Sequence, residues 1–377
     1  MSFQWEGECL KEPRDTLFVR VYFGGVKNES GHLYNDKDIR VGTAPDPQIK
    51  PDEVLVKSMF AGICGTDLHI YRGEFHARVG FPAIQGHEFG GVIEAVGKDV
   101  KNFKPGDRVV VDPIISCHSC PACLTGHINA CRSLKLLGID LNGGYGQYVA
   151  APASHVFALP ENVPLKFAPM VEMYGLGCHV LLRGQVQPGE SVMILGAGKL
   201  GLSVLDVLCH SANPGLTIIT DVQPFRLDTA KKLGADYTIN VEHEDPVARV
   251  MEITGGEGVD CVIECVGHYH EMPGREAPLQ QAVKMIRTAG RIVTCGLGEQ
   301  LSPVHFKTLV IKEAELIASR VTLGEFPRAV RLMSKGILHP ELQVTHELPM
   351  RDIANAFAQV DREDPRTIKV VLDVQKV

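Results

Sequence analysis

Four cysteines lie close together in the sequence, and a cluster of this kind can hold a metal ion. Cys117, Cys120, Cys123 and Cys131 follow the spacing C-x2-C-x2-C-x7-C. Four thiolates on one compact loop fit a closed tetrahedral zinc site, which would stabilise a loop that has little core of its own. The alternative is four unligated surface cysteines. The spacing favours the structural zinc site.

A second set of possible ligands is dispersed along the chain. Cys64, the pair His87 and Glu88, and Glu172 are residues of the types that bind a catalytic zinc ion. Such an ion needs about three protein ligands and one open position for water or substrate. Spacing alone leaves open whether these residues meet, because a single cysteine or histidine is more often an ordinary buried residue.

A glycine motif that can bind a dinucleotide follows the predicted strand Ser191–Leu195. Gly196, Gly198 and Gly201, with Lys199 and Leu200 between them, form G-x-G-x-x-G at the start of an apolar helix. The first glycine allows a tight turn, the second lets the pyrophosphate approach the backbone, and the third lets the helix pack on the sheet. The phosphate charge would then sit at the helix N-terminus.

A carboxylate at the end of the next strand indicates the cofactor. Asp221 can accept hydrogen bonds from the ribose hydroxyls of NAD and repel the extra phosphate of NADP. Its alternative role is to cap the turn that follows, and nearby Arg226 leaves room for NADP. Gly267, Gly296 and Leu297 end later strands, where the nicotinamide of an open α/β sheet is expected.

Composition limits the classes of partner. The 377 residues include 38 basic and 45 acidic side chains, for a net charge of -7, with no basic block interleaved with aromatics. Nucleic acid is therefore not an expected partner. No segment approaches the ~18 apolar residues of a membrane span, and Met1–Leu10 lacks an apolar signal core. We expect a cytoplasmic protein with no membrane partner.

The order of predicted elements divides the chain. The first part reads as mostly β, and the alternation of strands and helices after about residue 175 predicts a parallel sheet with helices on both faces. The C-terminal strand Thr367–Val374 is expected to return to the first domain. The predicted strands are Thr16–Tyr22, Glu53–Met59, Phe89–Val96, Asp107–Val111, Ser191–Leu195, Leu216–Thr220, Tyr237–Asn240, Val259–Glu264 and Gly290–Cys295. The predicted helices are one ending at Leu208, Phe225–Leu233, 246–253 and Leu279–Thr288.

Together these motifs resemble the zinc-containing medium-chain alcohol dehydrogenases, in which they occur in the same order. The resemblance spans essentially the whole chain and rests on four motifs: Cys64-Gly65-Thr66-Asp67, Gly86-His87-Glu88, the four cysteines and the glycine motif. Within this family the chain is similar to the sorbitol, threonine and sugar-acid dehydrogenase branch. The reason is Glu172, because the alcohol dehydrogenases themselves have a cysteine ligand at the matching position. Ala318-Ser319-Arg320 and Phe326-Pro327 also resemble dehydrogenases of sugar acids and polyols.

The resemblance implies a fold and a division into domains. The fold class is α/β, with a GroES-like, mostly β catalytic domain and a Rossmann domain built on a doubly wound parallel sheet. We assign residues 1–177 and 324–377 to the catalytic domain with its structural zinc lobe, and residues 178–323 to NAD binding. Two zinc ions per chain and NAD(H) are the implied cofactors. Homotetramers are expected, and a dimer is possible.

The resemblance also implies roles for the dispersed residues. Cys64 and His87 would bind the catalytic zinc, with Glu88 binding it directly or lying just behind it. Glu172 is either a ligand or holds the zinc-bound water, and members of this branch differ on which glutamate ligates. Thr66 resembles the hydroxyl that takes the substrate proton, and His69 matches the histidine that passes it on.

The implied activity is reversible, zinc-dependent and NAD-linked oxidation of a secondary alcohol of a polyol or sugar acid to the ketone. A threonine-type hydroxy amino acid dehydrogenase and a non-catalytic NADH-binding zinc protein stay open as alternatives. Zinc-free quinone reductases are disfavoured, because they lack the four-cysteine lobe and the catalytic cysteine and histidine. Arg320 is the expected recognition residue for a carboxylate or vicinal hydroxyls, and the alternative is a structural ion pair.

Two segments depart from the common family pattern. The N-terminus is longer by about one or two strands, and an extra segment, His268–Pro278, lies close to the expected nicotinamide side. This segment is expected to reshape the substrate pocket or the subunit contact. Both features leave the substrate open.

Overall fold

The computed structural model describes residues 28–74, 78–267, 276–298, 302–362 and 364–377. The predicted strand Thr16–Tyr22 and most of the extra segment His268–Pro278 lie outside these residues.

The first part of the described chain is built mainly from β-strands, as predicted. Its two helices are short, so backbone hydrogen bonding between strands carries most of the local structure. The strands are β1 Asn28–Asn35, β2 Asp38–Ala44, β3 Glu53–Gly62, β4 Phe89–Val96, β5 Arg108–Val111, β6 Ile114–Ile115, β7 Lys135–Leu136, β8 Tyr148–Pro152 and β9 Val156–Ala158. The helices are α1 Gly65–Tyr71 and α2 Pro121–Leu124.

The chain then enters a parallel sheet through the long buried helix α3, Met170–Arg183. Short runs rich in Val, Ile and Leu form the central strands, which are almost wholly buried, and helices connect the strands. The strands are β10 Ser191–Leu195, β11 Leu216–Asp221, β12 Tyr237–Asn240, β13 Val259–Glu264, β14 Ile286–Thr294 and β15 Glu315–Ala318. The helices are α4 Lys199–Ser211, α5 Pro224–Lys232, α6 Pro246–Ile253, α7 Pro278–Met285 and α8 Phe306–Lys312.

The strand order of this sheet is β12-β11-β10-β13-β14-β15, and every pair is parallel. This is the doubly wound order in which the chain reverses direction beside the first strand. The carboxyl end of β10 therefore faces the crevice in which such sheets bind a nucleotide.

The last part of the chain returns to the first sheet, as predicted for Thr367–Val374. Strand β17 (Lys369–Asp373) pairs antiparallel with β3 and parallel with β16 (Val344–Pro349). The seven-stranded sheet also holds β4, β5, β8 and β9. The remaining elements are α9 Phe326–Ser334, α10 Pro340–Gln343, β16 Val344–Pro349, α11 Ile353–Asp361 and β17 Lys369–Asp373. The division at residues 177 and 324 stays a prediction.

The largest error in the predicted boundaries lies between the helix Leu279–Thr288 and the strand Gly290–Cys295. The helix expected over Leu279–Thr288 ends at Met285, and the strand expected to begin at Gly290 begins at Ile286. Ile286 pairs with Val259 across a bulge, and Ala289 has a positive φ of 56°. Residues from Ile286 onward were predicted as helix from their apolar spacing. They form a strand because they pair with β13.

Separate apolar clusters support the two sheets. One packs α3, α4 and α9 against the parallel sheet, and another fills the space between the first sheet and α11. A small third cluster lies under the cysteine lobe and includes Cys120 and Cys131. Among the helices of the described residues, none has both the length and the apolar character needed to cross a bilayer.

Candidate active site

The four cysteines of the lobe come together in space. One sulfur from each of Cys117, Cys120, Cys123 and Cys131 lies within 4.8 Å of the others. Backbone amides point at the sulfurs: the amide of Cys120 donates to Cys117 Sγ at 3.4 Å, and the amide of Cys117 donates to Cys131 Sγ at 3.3 Å. Such donors stabilise thiolates.

The protonation of these thiols indicates that a cation belongs among them. Hydrogen bonds from Ser119 lower the pKa of Cys117 to about 5, whereas burial and the neighbouring Cys120 raise the pKa of Cys123 to about 11. The four sulfurs therefore cannot all ionise side by side without a positive charge between them. The set fits a tetrahedral zinc ion.

Three of the dispersed residues also come together. Ligand atoms of Cys64, His87 and Glu88 lie within 4.8 Å of one another, although their elements are separate in sequence. Cys64 follows β3 and caps the N-terminus of α1, while His87 and Glu88 immediately precede β4. Because β3 and β4 are antiparallel neighbours, the end of one strand meets the start of the other.

Asp67 orients this group. Its carboxylate accepts a hydrogen bond from the Cys64 amide at 2.8 Å and one from the Tyr145 hydroxyl at 3.1 Å, and it lies 3.5 Å from His87 Nδ1. Burial alone would lower the pKa of His87, but Asp67 and Cys64 together raise it well above the usual value. An acidic partner on one ring nitrogen is the usual way in which a ligating histidine is held in place.

Glu88 is fully buried and pairs with a buried lysine. Lys369 of β17 donates to one carboxylate oxygen, Oε2, while Glu88 Oε1 has no partner. Burial lowers the pKa of Lys369, but Glu88 and Cys64 raise it overall, so the ammonium stays charged. The unpartnered oxygen fits a metal ligand, because buried carboxylate oxygens are normally hydrogen-bonded or bound to metal.

Glu172 is buried near the same group. Its Oε2 atom has no partner, and it lies on the first turn of α3, outside the set of three that share the 4.8 Å limit. Burial, followed by the charge of Glu88, raises the pKa of Glu172 to about 8. Without a cation this carboxyl stays protonated at neutral pH, and a nearby divalent ion would ionise it.

The two residues predicted to move the substrate proton lie on α1. Thr66 is part of its first turn, two positions after Cys64, and His69 lies three residues further on the same face. Both are half-buried, and His69 contacts the carboxylate of Glu74 through Nδ1. The helix thus connects the Cys64 region with the protein surface.

The glycine loop has the backbone that a phosphate site needs. Gly196 has a φ of +92°, and a side chain at Gly201 would collide with the Gly196 carbonyl. Gly198 caps the N-terminus of α4, where unpaired amides can bind an anion. Lys199 Nζ donates to the carbonyl of Ile63 at 3.2 Å, so its side chain bridges this loop and the residue before Cys64.

Asp221 both caps local backbone and faces the loop. Its carboxylate accepts from the Ala197 amide and from the Gln223 amide, each at 2.8 Å, so the capping role is present. Arg226 Nη1 lies 3.8 Å from the same carboxylate. The negative charge is therefore partly offset, and the choice between NAD and NADP rests on more than Asp221.

Two other glycines meet at the ends of β13 and β14. A side chain on Gly267 would strike the backbone of Gly296 and Leu297, and one on Gly296 would strike Gly267. Gly267 has a φ of +71°. With Glu264 and Thr294 they line a shallow pocket at the edge of the parallel sheet, beside the glycine loop.

Arg320 lies at the surface near the cysteine lobe. Its carbonyl accepts a hydrogen bond from Asn129 at 3.0 Å, and the following residue, Val321, packs on the apolar cluster of the lobe. No substrate group is present to test its predicted recognition role, which stays a prediction.

Sequence reasoning missed three residues of the site. Asp67, Tyr145 and Lys369 hold the ligands in position, yet the sequence analysis assigned none of them a role, although Asp67 stands in the Cys64-Gly65-Thr66-Asp67 motif. Lys369 had one available signal: a lysine in the middle of the apolar strand TIKVVLDV must be paired if it is buried.

Comparison with known proteins places this site in a family. Residues 50–161 match the alcohol dehydrogenase GroES-like domain, and residues 201–335 match the zinc-binding dehydrogenase domain. Sorbitol dehydrogenase of Bacillus subtilis (strain 168) is 31% identical over 90% of this chain and 95% of its own length. L-threonine 3-dehydrogenase of Bacillus velezensis is 34% identical over 88% and 93%.

A solved structure agrees with these matches. An alcohol dehydrogenase (rspB) of Escherichia coli CFT073, complexed with the cofactor NADH, has 32% identity and a TM-score of 0.85 over 93% of this chain and 100% of its own. The GroES-like and Rossmann fold classes and the family predicted from the motifs are thus confirmed. The chain belongs to the zinc-containing medium-chain alcohol dehydrogenase superfamily.

Proposed function

We propose that this protein is a zinc-dependent, NAD-linked dehydrogenase that reversibly oxidises a secondary alcohol of a polyol or sugar acid to the ketone. The observation that carries the proposal is the convergence of Cys64, His87 and Glu88, together with the hydrogen bond from Lys199 of the glycine loop to Ile63, the residue before Cys64. A set of side chains that can bind a metal therefore lies next to the glycine loop.

Cys64 and His87 would hold the catalytic ion, with Glu88 or Glu172 as the third ligand. The unpartnered oxygens Glu88 Oε1 and Glu172 Oε2 fit either choice. Lys369 already occupies the other oxygen of Glu88, which favours Glu172 as the glutamate free to exchange with water or substrate. When bound, zinc supplies Lewis acidity toward the alcohol, and NAD supplies the hydride acceptor.

The chain's own residues would position the reactants and move the proton. Thr66 stands beside Cys64 at the start of α1 and would take the hydroxyl proton of the substrate, and His69 would pass it to solvent. The contact with Glu74 orients the His69 ring. Gly267 and Gly296, without side chains, let the ends of β13 and β14 approach each other closely at the side where the nicotinamide is expected.

Cofactor choice is proposed to favour NAD. The carboxylate of Asp221 at the end of β11 would accept from the ribose hydroxyls, while Arg226 weakens its repulsion of a phosphate. Zinc and NAD are the cofactors we expect, with two zinc ions per chain.

We also propose a homo-oligomer, either a tetramer or a dimer. Strand β15 ends the parallel sheet, and no described strand pairs with its outer side. Exposed apolar residues lie on it and on nearby α8: Leu316, Phe306, Val310 and Ile311. An unpaired apolar edge of this kind is normally covered, and a second copy could continue the sheet.

A substrate screen combined with metal analysis tests the proposal. NAD and NADP reduction would be followed with polyols, sugar acids and hydroxy amino acids, and zinc would be counted by mass spectrometry. Two zinc ions with NAD reduction by polyols or sugar acids would support it. Activity with threonine alone would favour the hydroxy amino acid alternative, and two zinc ions with no turnover of any class would leave a binding protein.

Arg320 offers a sharper test of the substrate class. We expect Arg320→Ala to raise KM by about tenfold or more for a sugar acid, with a smaller rise for a neutral polyol, because only the charged substrate loses an ion pair. Arg320→Lys should recover part of the loss. An unchanged KM for the active substrate would remove Arg320 from the binding site.

A further inference from the structure

A third group of metal-binding side chains lies away from both zinc sites. One ligand atom from each of Asp206, His210 and His339 lies within 4.8 Å of the other two. We propose that these residues bind a divalent transition ion such as Zn²⁺ or Ni²⁺. This site is independent of the proposed function.

Hydrogen bonds hold the carboxylate of Asp206 in a fixed orientation. Its Oδ2 atom accepts from the Tyr174 hydroxyl at 2.8 Å, from the His339 amide at 2.8 Å and from Gln343 Nε2 at 3.4 Å. Gln343 is itself held by Ser203, whose hydroxyl donates to Oε1 at 2.9 Å. These bonds fix the carboxylate plane and turn the other oxygen, Oδ1, toward the two histidines.

The two imidazoles meet that oxygen at ligand spacing. Asp206 Oδ1 lies 3.0 Å from His339 Nδ1 and 3.1 Å from His210 Nδ1, and the two ring centres are 4.5 Å apart. Zinc binds nitrogen and oxygen at about 2.0–2.2 Å, so neighbouring ligands of one ion stand about 3 Å apart. The observed distances fit such an ion with small side-chain movements.

The chemistry of the group also fits. Imidazole and carboxylate together suit zinc and nickel. Asp206 is fully buried, and its ionic partners among the described residues are these two histidines. His339 Nδ1 forms a hydrogen bond with the carboxylate, whereas His210 Nδ1 lies 3.1 Å from the carboxylate and 3.0 Å from the main-chain carbonyl of Asp206. An ion would replace these contacts, with Nδ1 of each ring as the ligand atom.

The position of the site gives the ion a structural role. Asp206 and His210 lie one turn apart on α4, beside the parallel sheet, whereas His339 caps α10, which leads into β16 of the other sheet. The histidine side chains are about one-third exposed (32% and 34%), so water can complete the coordination. The ion would link α10, and through it β16, to α4, the helix that follows the glycine loop.

The test counts metal in the intact protein. The purified enzyme, with its other zinc ions retained, is titrated with Ni²⁺ by calorimetry at pH 7.5, and the Tm is measured with and without Ni²⁺. We expect one further equivalent and a rise in Tm. In the double variant His210→Gln/His339→Gln the equivalent and the rise should be lost, whereas the control His243→Gln/His346→Gln should keep both.

A spectroscopic measurement guards against a variant that fails to fold. His210→Gln alone changes a partly exposed residue, and it should weaken binding by ~10-fold or more. Bound Cu²⁺ in the wild type should show electron paramagnetic resonance splitting from two nitrogens, and from one in His210→Gln. A wild type that binds no further equivalent, or a folded double variant that binds Ni²⁺ as tightly as the wild type, would overturn the proposal and leave the cluster as a hydrogen-bonded bridge.

Discussion

The two cysteine-containing clusters are built in opposite ways. The lobe takes all four sulfurs from one segment, Cys117 to Cys131, and backbone amides point at them. The dispersed cluster takes Cys64, His87 and Glu88 from two strands and relies on Asp67 and Lys369 for orientation and charge. The first is a local sulfur cage, and the second depends on the tertiary fold.

Under the proposed function, this difference would separate stability from catalysis. A closed set of four thiolates leaves no position for a substrate, so an ion there would only hold the lobe together. The dispersed set mixes sulfur, nitrogen and oxygen and keeps unpartnered oxygens on Glu88 and Glu172. These oxygens are available as further metal ligands, and the surrounding fold already holds the residues of this cluster in place.

Loss of a ligand from the dispersed cluster should give the largest effect. We expect His87→Ala to lower kcat/KM by ~10⁴-fold, or about 5 kcal/mol of activation free energy. The Tm should change little, because β3 and β4 stay paired without the ring. Steady-state kinetics and thermal denaturation measure the two quantities. The control His127→Ala, on the exposed surface of the lobe, should leave both near wild type, and equal losses in the two variants would contradict the assignment.

Loss of a ligand from the lobe should reverse the pattern. We expect Cys120→Ser to lower the free energy of unfolding by about 4 kcal/mol, because metal loss belongs to the most damaging class of changes. Cys120 is buried in the small apolar cluster, so the lobe has little else to hold it. Denaturant unfolding measures the change, and Cys209→Ser, at a half-buried thiol outside the lobe, is the control. If the Cys120→Ser protein had normal stability but no activity, the lobe would be needed for catalysis, and the structural role assigned to it would be wrong.

The same contrast explains what the sequence could predict. The lobe could be found from spacing, because its ligands are neighbours along one loop. Strands Phe89–Val96, Ser191–Leu195, Tyr237–Asn240 and Val259–Glu264 were also predicted to the residue. Each is a short run rich in apolar and β-branched residues with a glycine or a polar turn within three residues of its end, so local chemistry helps to fix its limits.

Features that depend on tertiary contacts were not predictable in this way. Asp67 and Lys369 support the same site from positions about three hundred residues apart, and only the pairing of β17 with β3 brings Lys369 to Glu88. Ile286 looked helical by its spacing, yet pairing with Val259 draws it into a strand. The dispersed candidate ligands were predicted from the family resemblance. Their orienting partners, Asp67 and Lys369, were recognised only in the structure.

Removal of the buried lysine sharpens the comparison, because the lobe has no equivalent charge pair. We expect Lys369→Met to lower the free energy of unfolding by about 3 kcal/mol, since it leaves the fully buried Glu88 carboxylate without its cation. Lys376→Met breaks the pair between the exposed Lys376 ammonium and Asp373, and it should lower stability far less. Urea unfolding compares them. If the two variants lost similar stability, Lys369 would not be the main partner of Glu88.

The smallest effect concerns the pH dependence of stability in protein stripped of the dispersed ion, with metal analysis confirming that the lobe keeps its own. The folded state raises the pKa of Glu172 from 4.5 to about 8, so between these values it binds a proton that the unfolded chain does not. Stability must therefore fall as pH rises from about 4.5 to about 8. We expect a loss of about 2 kcal/mol, less than the full linkage, because the charges of Glu88 and His87 shift the pKa of Glu172 in opposite directions.

Glu172→Gln tests the origin of that slope. The amide cannot ionise, so the stripped variant should lose less stability than the stripped wild type over the same pH range. Glu161→Gln, an exposed carboxylate, should keep the wild-type slope. The lobe adds no such slope in this window while its thiolates stay bound to metal. An identical pH profile for wild type and Glu172→Gln would show that the slope arises from other residues, and the functional contrast between the two clusters would then rest on geometry alone.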